Sequence, residues 1–135
     1  MDSNPTDLMS LEHWYPQNST HSLGLKWQTN SRMCAKLLTS IDLRIYEDAS
    51  DTVFRSYLIP TNCIISTDNM DDHNFHSALM SSDGSLCSSV TWAPLDICRS
   101  YKLEIKPKYF STINGKTSSL EMFTSGSGNI TFDDC

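Results

Sequence analysis

Short runs in which apolar and polar residues alternate dominate this chain. Ser22 to Trp27 sets Leu23, Leu25 and Trp27 on one face and Ser22, Gly24 and Lys26 on the other. Ile41 to Tyr46 repeats the device with Ile41, Leu43 and Ile45, and Tyr101 to Ile105 repeats it again. A period of two packs one face and wets the other, as in antiparallel sheets. Weaker runs predict further strands at Leu8 to Trp14, Val53 to Ile59, Cys63 to Thr67, Leu86 to Trp92 and Leu120 to Thr124. Turn-rich joints separate them at Glu47 to Asp51, Ser81 to Gly84 and Asn114 to Lys116, where Asn114-Gly115 suits a tight hairpin. Helical periodicity is nearly absent: the best candidate, Cys34 to Leu43, is interrupted by Thr39-Ser40. The pattern predicts an all-β sandwich of about seven antiparallel strands.

Composition narrows the class. The 135 residues fit one domain, and no apolar run is long enough to span a bilayer, so no direct membrane insertion is expected. The net charge of −6, with its ten basic residues scattered, argues against nucleic acid, whose phosphates need clustered Lys and Arg. Five cysteines are many for a cytosolic chain of this size. Two acceptor sequons, at Asn18-Ser19-Thr20 and Asn129-Ile130-Thr131, point the same way, whereas Asn4-Pro5-Thr6 is disqualified by its proline. Together they favour an extracellular setting. The polar start, Met1 to Pro5, carries no apolar signal core, so the expectation is a piece of a longer secreted or membrane-anchored protein.

The order of the elements resembles a fibronectin type III domain, an immunoglobulin-like sandwich. Pro5 and Leu8 stand where that family opens its first strand, and Leu23 to Trp27 looks like the second, ending in the family's core tryptophan. Ile41 to Tyr46 matches the third. Leu95, with Tyr101 six residues later, matches the leucine and tyrosine that frame the sixth. Gly115 to Ser119 leads to Thr124 like the approach to the last strand. The resemblance covers residues 5–124 and leaves 125–135, with Ser125 to Gly128 at its head, as a flexible linker. Two departures stand out: Ile97 replaces the proline usual after the framing leucine, and Val53 to Trp92 is longer than the family pattern. On this frame Tyr101 is expected to bury its ring and turn its hydroxyl to the backbone of the preceding loop.

The resemblance also implies added bridges, as in many extracellular domains of this type. Cys34 would enter the third strand and Cys98 the sixth, while Cys63 and Cys87 flank the long middle segment. Four cysteines allow three connectivities; Cys34–Cys98 with Cys63–Cys87 is preferred, and Cys135 is left over.

Candidate chemistry is sparse. Asp71-Asp72-His73-Asn74-Phe75-His76 is the one cluster with metal-binding residue types, but histidines three apart converge only on a helix, so a solvated polar loop is preferred. No Ser sits in a nucleophile elbow, and Ser125 to Gly128 lacks the Lys-Ser/Thr of a phosphate loop. The expectation is no enzyme and no cofactor. His13 to Pro16 reads as edge packing before it reads as a contact surface. Tyr109, Phe110, Asn114 and Lys116, in and before the last interstrand loop, are candidate contacts for a protein partner, because aromatics shown on a rigid frame carry interface energy. Simple continuation of the strand's alternation through Tyr109 is an equal alternative. The resemblance suggests recognition and spacing among neighbouring domains of an adhesion receptor or receptor phosphatase. A cytokine-type receptor fits less well, as no Trp-Ser-x-Trp-Ser occurs. The alternative is an intracellular interaction domain of the same fold with reduced cysteines.

Overall fold

The computed structural model describes residues 8–17, 19–29, 38–47, 50–68, 74–109 and 117–124. They form eight strands: β1 (Leu8–Trp14), β2 (Ser22–Thr29), β3 (Leu38–Glu47), β4 (Val53–Pro60), β5 (Ile64–Asp68), β6 (Asn74–Ser81), β7 (Ser100–Tyr109) and β8 (Ser118–Phe123). One 3-10 turn, Thr61–Cys63, joins β4 to β5. Among the described residues no helix is long and apolar enough to cross a membrane.

The strands make two four-stranded antiparallel sheets, ordered β1-β2-β6-β5 (sheet I) and β4-β3-β7-β8 (sheet II). This order is the constant-type immunoglobulin arrangement with one strand, β4, added beside the third. The alternating runs build the core directly. Leu23, Leu25 and Trp27 of β2 face Ile41, Leu43 and Ile45 of β3 and Tyr101, Leu103 and Ile105 of β7 across the sandwich, all of them buried. The two sheets meet along one side where β1 lies beside β8. There Tyr15 is buried and donates its hydroxyl to the Phe123 carbonyl at 3.2 Å; desolvation pushes that phenol up to about 12.

Two strand assignments are corrected. Leu86 to Trp92 is not a strand: within it only Thr91 makes an isolated bridge, to Ser81. Its apolar residues Leu86, Val90 and Trp92 suggest a strand because they are spaced by even numbers. They instead punctuate a long connection, residues 82–99, that leads from β6 of sheet I to β7 of sheet II. The strand absent from the expectation is β6, which runs through Asn74 to His76 and pairs with both β2 and β5. Its inward positions are His76, Ala78 and Met80, too weakly apolar to announce themselves. With one expected run lost and β6 gained, the described residues form eight strands, in keeping with the expected sandwich of about seven.

The connection over residues 82–99 is a strap pinned from both sheets. Trp92 is fully buried, donates its indole N–H to the Thr20 carbonyl at 2.9 Å, and lies with its ring centroid 5.2 Å from that of Tyr57. From β4, Arg55 donates to the Ala93 and Pro94 carbonyls at 2.8 and 3.0 Å, and the Tyr57 hydroxyl accepts the Ala93 N–H at 3.1 Å. Val90 and Leu95 add apolar burial.

Tyr101 occupies the corner at the strap's end. Its ring is fully buried and its hydroxyl accepts the Asp96 N–H at 3.0 Å. Tyr101→Phe removes the acceptor but keeps the packing. It is expected to cost about 1–2 kcal/mol in urea unfolding, because a part-buried N–H loses its partner. No measurable loss would mean that water replaces the hydroxyl.

Candidate interaction surfaces

The cysteines come first, because they fix what the surfaces are built on. Cys63, in the 3-10 turn after β4, is bonded to Cys87 on the strap, with Cα atoms 5.5 Å apart. Cys98 is also disulfide-bonded. It precedes β7 with a positive φ of 60°, a backbone conformation that a residue with a Cβ seldom adopts. Cys34 and Cys135 lie outside the described residues, as do Asn18, Asn129, His73 and residues 125–135. Thr20, in the first sequon, is buried beneath the strap.

Tyr109 corrects the expected contact site. It ends β7 at an inward position, 3 % exposed, and belongs to the core. Burial raises its phenol to about 12. The alternation that begins at Tyr101 runs unbroken to the strand's end, so the ring faces the opposite sheet and not a partner. Phe110, Asn114 and Lys116 lie outside the described residues.

His76 likewise turns inward. The ring is 1 % exposed and stacks on Trp27 with centroids 5.5 Å apart. Its Nδ1 is 2.7 Å from the Ser66 hydroxyl and its Nε2 is 3.2 Å from the Thr29 hydroxyl. With both nitrogens engaged inside the sandwich, this histidine completes a core. Among the described residues no group of three or more metal-binding side chains comes together.

What remains are the two outer faces, and they differ. On sheet II, cross-strand neighbours carry opposite charges: Asp42 faces Lys106, Arg44 faces Glu104, and Lys102 faces Glu121. Tyr46 joins this network by donating to Glu104 at 3.2 Å, under the Lys102 ammonium, which sits 4.9 Å from its ring centroid. Opposite charges set directly across a sheet attract each other, and the apolar side chains exposed on this face, Leu58 and Phe123, stand on its edge strands.

Sheet I shows water a different surface. Trp14 lies over Gly24, where a Cβ would come within 2.5 Å of the indole, so only glycine lets the ring lie flat against the sheet. Gly24 pairs with Leu79, and Lys26 with Ser77, which pairs in turn with Ile65. Phe75 stands next along β6. A concavity of about 350 Å³ opens there, lined by Lys26, Ile65, Phe75, His76 and Ser77. Ile65 is 62 % exposed on the edge strand, and Lys26 makes no ion pair among the described residues. The expectation of edge packing at His13 to Pro16 fits Tyr15, whereas Trp14 belongs to this outer face. No local signal marks the concavity in the sequence, because its walls come from β2, β5 and β6.

At the strap's start, Asp83 accepts hydrogen bonds from the Ser81 hydroxyl and from the Ser85 hydroxyl and N–H, at 2.7, 2.7 and 2.9 Å. These bonds, Ser81's first, hold its carboxyl down at about 2. A folded-state value below the unfolded one means that this turn's contribution is present above about pH 4 and fades as the pH falls towards 2. Amide exchange at Ser85 is therefore expected to accelerate between pH 4 and pH 2 beyond the intrinsic trend, and Asp83→Asn to abolish that step.

Comparison with known proteins gives a structural likeness. No family model matches the chain, and no curated protein does. Among solved structures it is similar to Astrotactin-2, described as a conserved vertebrate-specific and perforin-like membrane protein involved in neuronal development. The superposition has a TM-score of 0.52 at 12 % identity and covers 90 % of this chain but 22 % of that one. At that identity the likeness is one of fold: a β-sandwich matching a part of a much longer protein.

Proposed function

We propose that this chain is a non-catalytic module of an extracellular protein, working by protein recognition and spacing beside neighbouring domains. The observation that carries the reading is the contrast between the outer faces. One sets opposite charges across its strands, with apolar side chains, Leu58 and Phe123, exposed only on its edge strands β4 and β8; the other presents Trp14, Leu79, Phe75 and Ile65 around the pair Lys26 and Glu12. Recognition on this view uses the outer face of sheet I, with sheet II as the solvated back. The extracellular setting is supported by the Cys63–Cys87 bridge, the bonded Cys98 and the likeness to a stretch of a membrane protein. The fibronectin type III resemblance stays part of this reading, supported by the buried Trp27 and the Tyr101 corner. Cys34 is the partner we assign to Cys98, with Asn18 and Asn129 as glycan acceptors.

Disulfide mapping without reduction, on protein secreted from a eukaryotic host, tests the compartment. Bridges at Cys63–Cys87 and Cys34–Cys98 with glycan on either asparagine are expected. Free thiols and bare asparagines would instead favour an intracellular interaction domain of the same fold.

A further inference from the structure

We infer that the concavity on sheet I is a recognition pocket for an acidic, apolar peptide segment: one hydrophobic side chain seated between Ile65 and Phe75, and an adjacent carboxylate on Lys26. This deepens the proposed function and rests on its choice of face. Three observations converge on it. The depression is of a size that takes one large side chain, at the lower end of ligand-site volumes. Two of its walls are apolar, and one of them, Ile65, is an exposed side chain on an edge strand, where nothing among the described residues covers it.

The third observation is charge. Lys26 is exposed, lines the concavity and has no ion pair among the described residues. Glu12 pairs with Lys26 in the β1–β2 register, but β1 lies on the side of β2 away from β6 and β5. The ammonium can therefore swing over the concavity and leave Glu12 behind. The chain's net charge of −6 does not forbid an anionic ligand. At physiological ionic strength, charges more than about 8 Å away are screened, and the contact charge decides.

The pocket is solvent-open and the ion pair exposed, so a minimal ligand binds in the millimolar range. The test is a titration of the folded, disulfide-bonded chain, followed by amide shifts. The probe is a phenylalanyl-aspartyl dipeptide blocked at both ends, with its phenylalanyl-asparaginyl analogue as neutral control. Saturable shifts confined to Lys26, Ile65, Phe75, Ser77 and their neighbours are expected. The acidic probe should bind about three- to fivefold tighter than the neutral one, as one exposed ion pair would give. Lys26→Met should erase that preference, and Ile65→Ser should weaken both probes; both positions are exposed, and unchanged circular dichroism checks the fold. Equal binding of the two probes would overturn the acidic specificity while leaving the face as a contact surface. No shift on sheet I with either probe would overturn the pocket, while the choice of face, which concerns a whole protein surface, is not decided by a dipeptide. Neither result bears on the compartment, which the disulfide map decides separately.

Discussion

Trp92→Ala is expected to destabilise the domain by about 3–5 kcal/mol, the range for deleting a large buried aromatic. The mechanism has two parts. The indole fills the space between the strap, Tyr57 and the turn before β2, so its loss leaves a cavity. Its N–H also satisfies the buried Thr20 carbonyl, which would be left without that donor. Small domains hold only about 5–15 kcal/mol in all, so the variant is expected near the limit of folding. Urea unfolding followed by far-ultraviolet circular dichroism measures the loss. Trp92→Phe separates the two parts: it keeps most of the ring volume and should lose only about 1–2 kcal/mol. A loss under about 1 kcal/mol for the alanine variant would show that the strap is seated by its polar anchors, Arg55 and Tyr57, and not by the ring.

Removing the bridge in the Cys63→Ala/Cys87→Ala double variant is expected to cost about 3 kcal/mol. The bonded residues are 24 apart in sequence, and closing a loop of that length restricts the unfolded chain by about that much on the chain-entropy model. The bridge also fastens the corner between β4 and β5 to the strap, which Arg55 and Tyr57 grip from the other side. The double variant should therefore still fold, with its midpoint in urea lowered. A midpoint unchanged from the parent would mean that the strap's hydrogen bonds already restrain the same region, leaving the covalent link redundant.

Where the sequence was legible, the reason is local. Strands β2, β3 and β7 alternate cleanly because each has one face in the core and one in water, and each declares its inward set within six residues. Tyr101 was legible for a similar reason, since its partner Asp96 lies five residues upstream. The signal failed where burial is carried by residues that are not plainly apolar. In β6, the inward His76 is tolerated only because Ser66 and Thr29 bond its ring and Trp27 stacks on it, and those three lie on other strands. It failed in the opposite sense over Leu86 to Trp92, where apolar residues pack as isolated pegs beneath a loop. Tyr109 shows a third failure: an aromatic at a strand's end reads equally as a displayed anchor or a last core residue, and only the facing sheet decides. The concavity was illegible altogether, because Lys26, Ile65 and Phe75 become neighbours only through strand register.

The strap also constrains the order in which this chain assembles. Its seats are supplied by Thr20, Arg55, Tyr57 and Tyr101; the first three lie 72, 38 and 36 residues from their strap partners. None exists as a receiving surface until β4 has joined β3 and the turn before β2 has been placed. Contacts of such long sequence separation require loop closure before any stabilisation is returned, which is why sandwiches of this kind fold in milliseconds to seconds and not microseconds. Insertion of Trp92 is therefore expected to come late, which stopped-flow kinetics of Trp92→Phe would register as faster unfolding with refolding nearly unchanged. A residue whose contacts form after the rate-limiting barrier governs how fast the native state comes apart and leaves its rate of formation nearly untouched. On that order of events the indole would act as a latch on the native domain's lifetime.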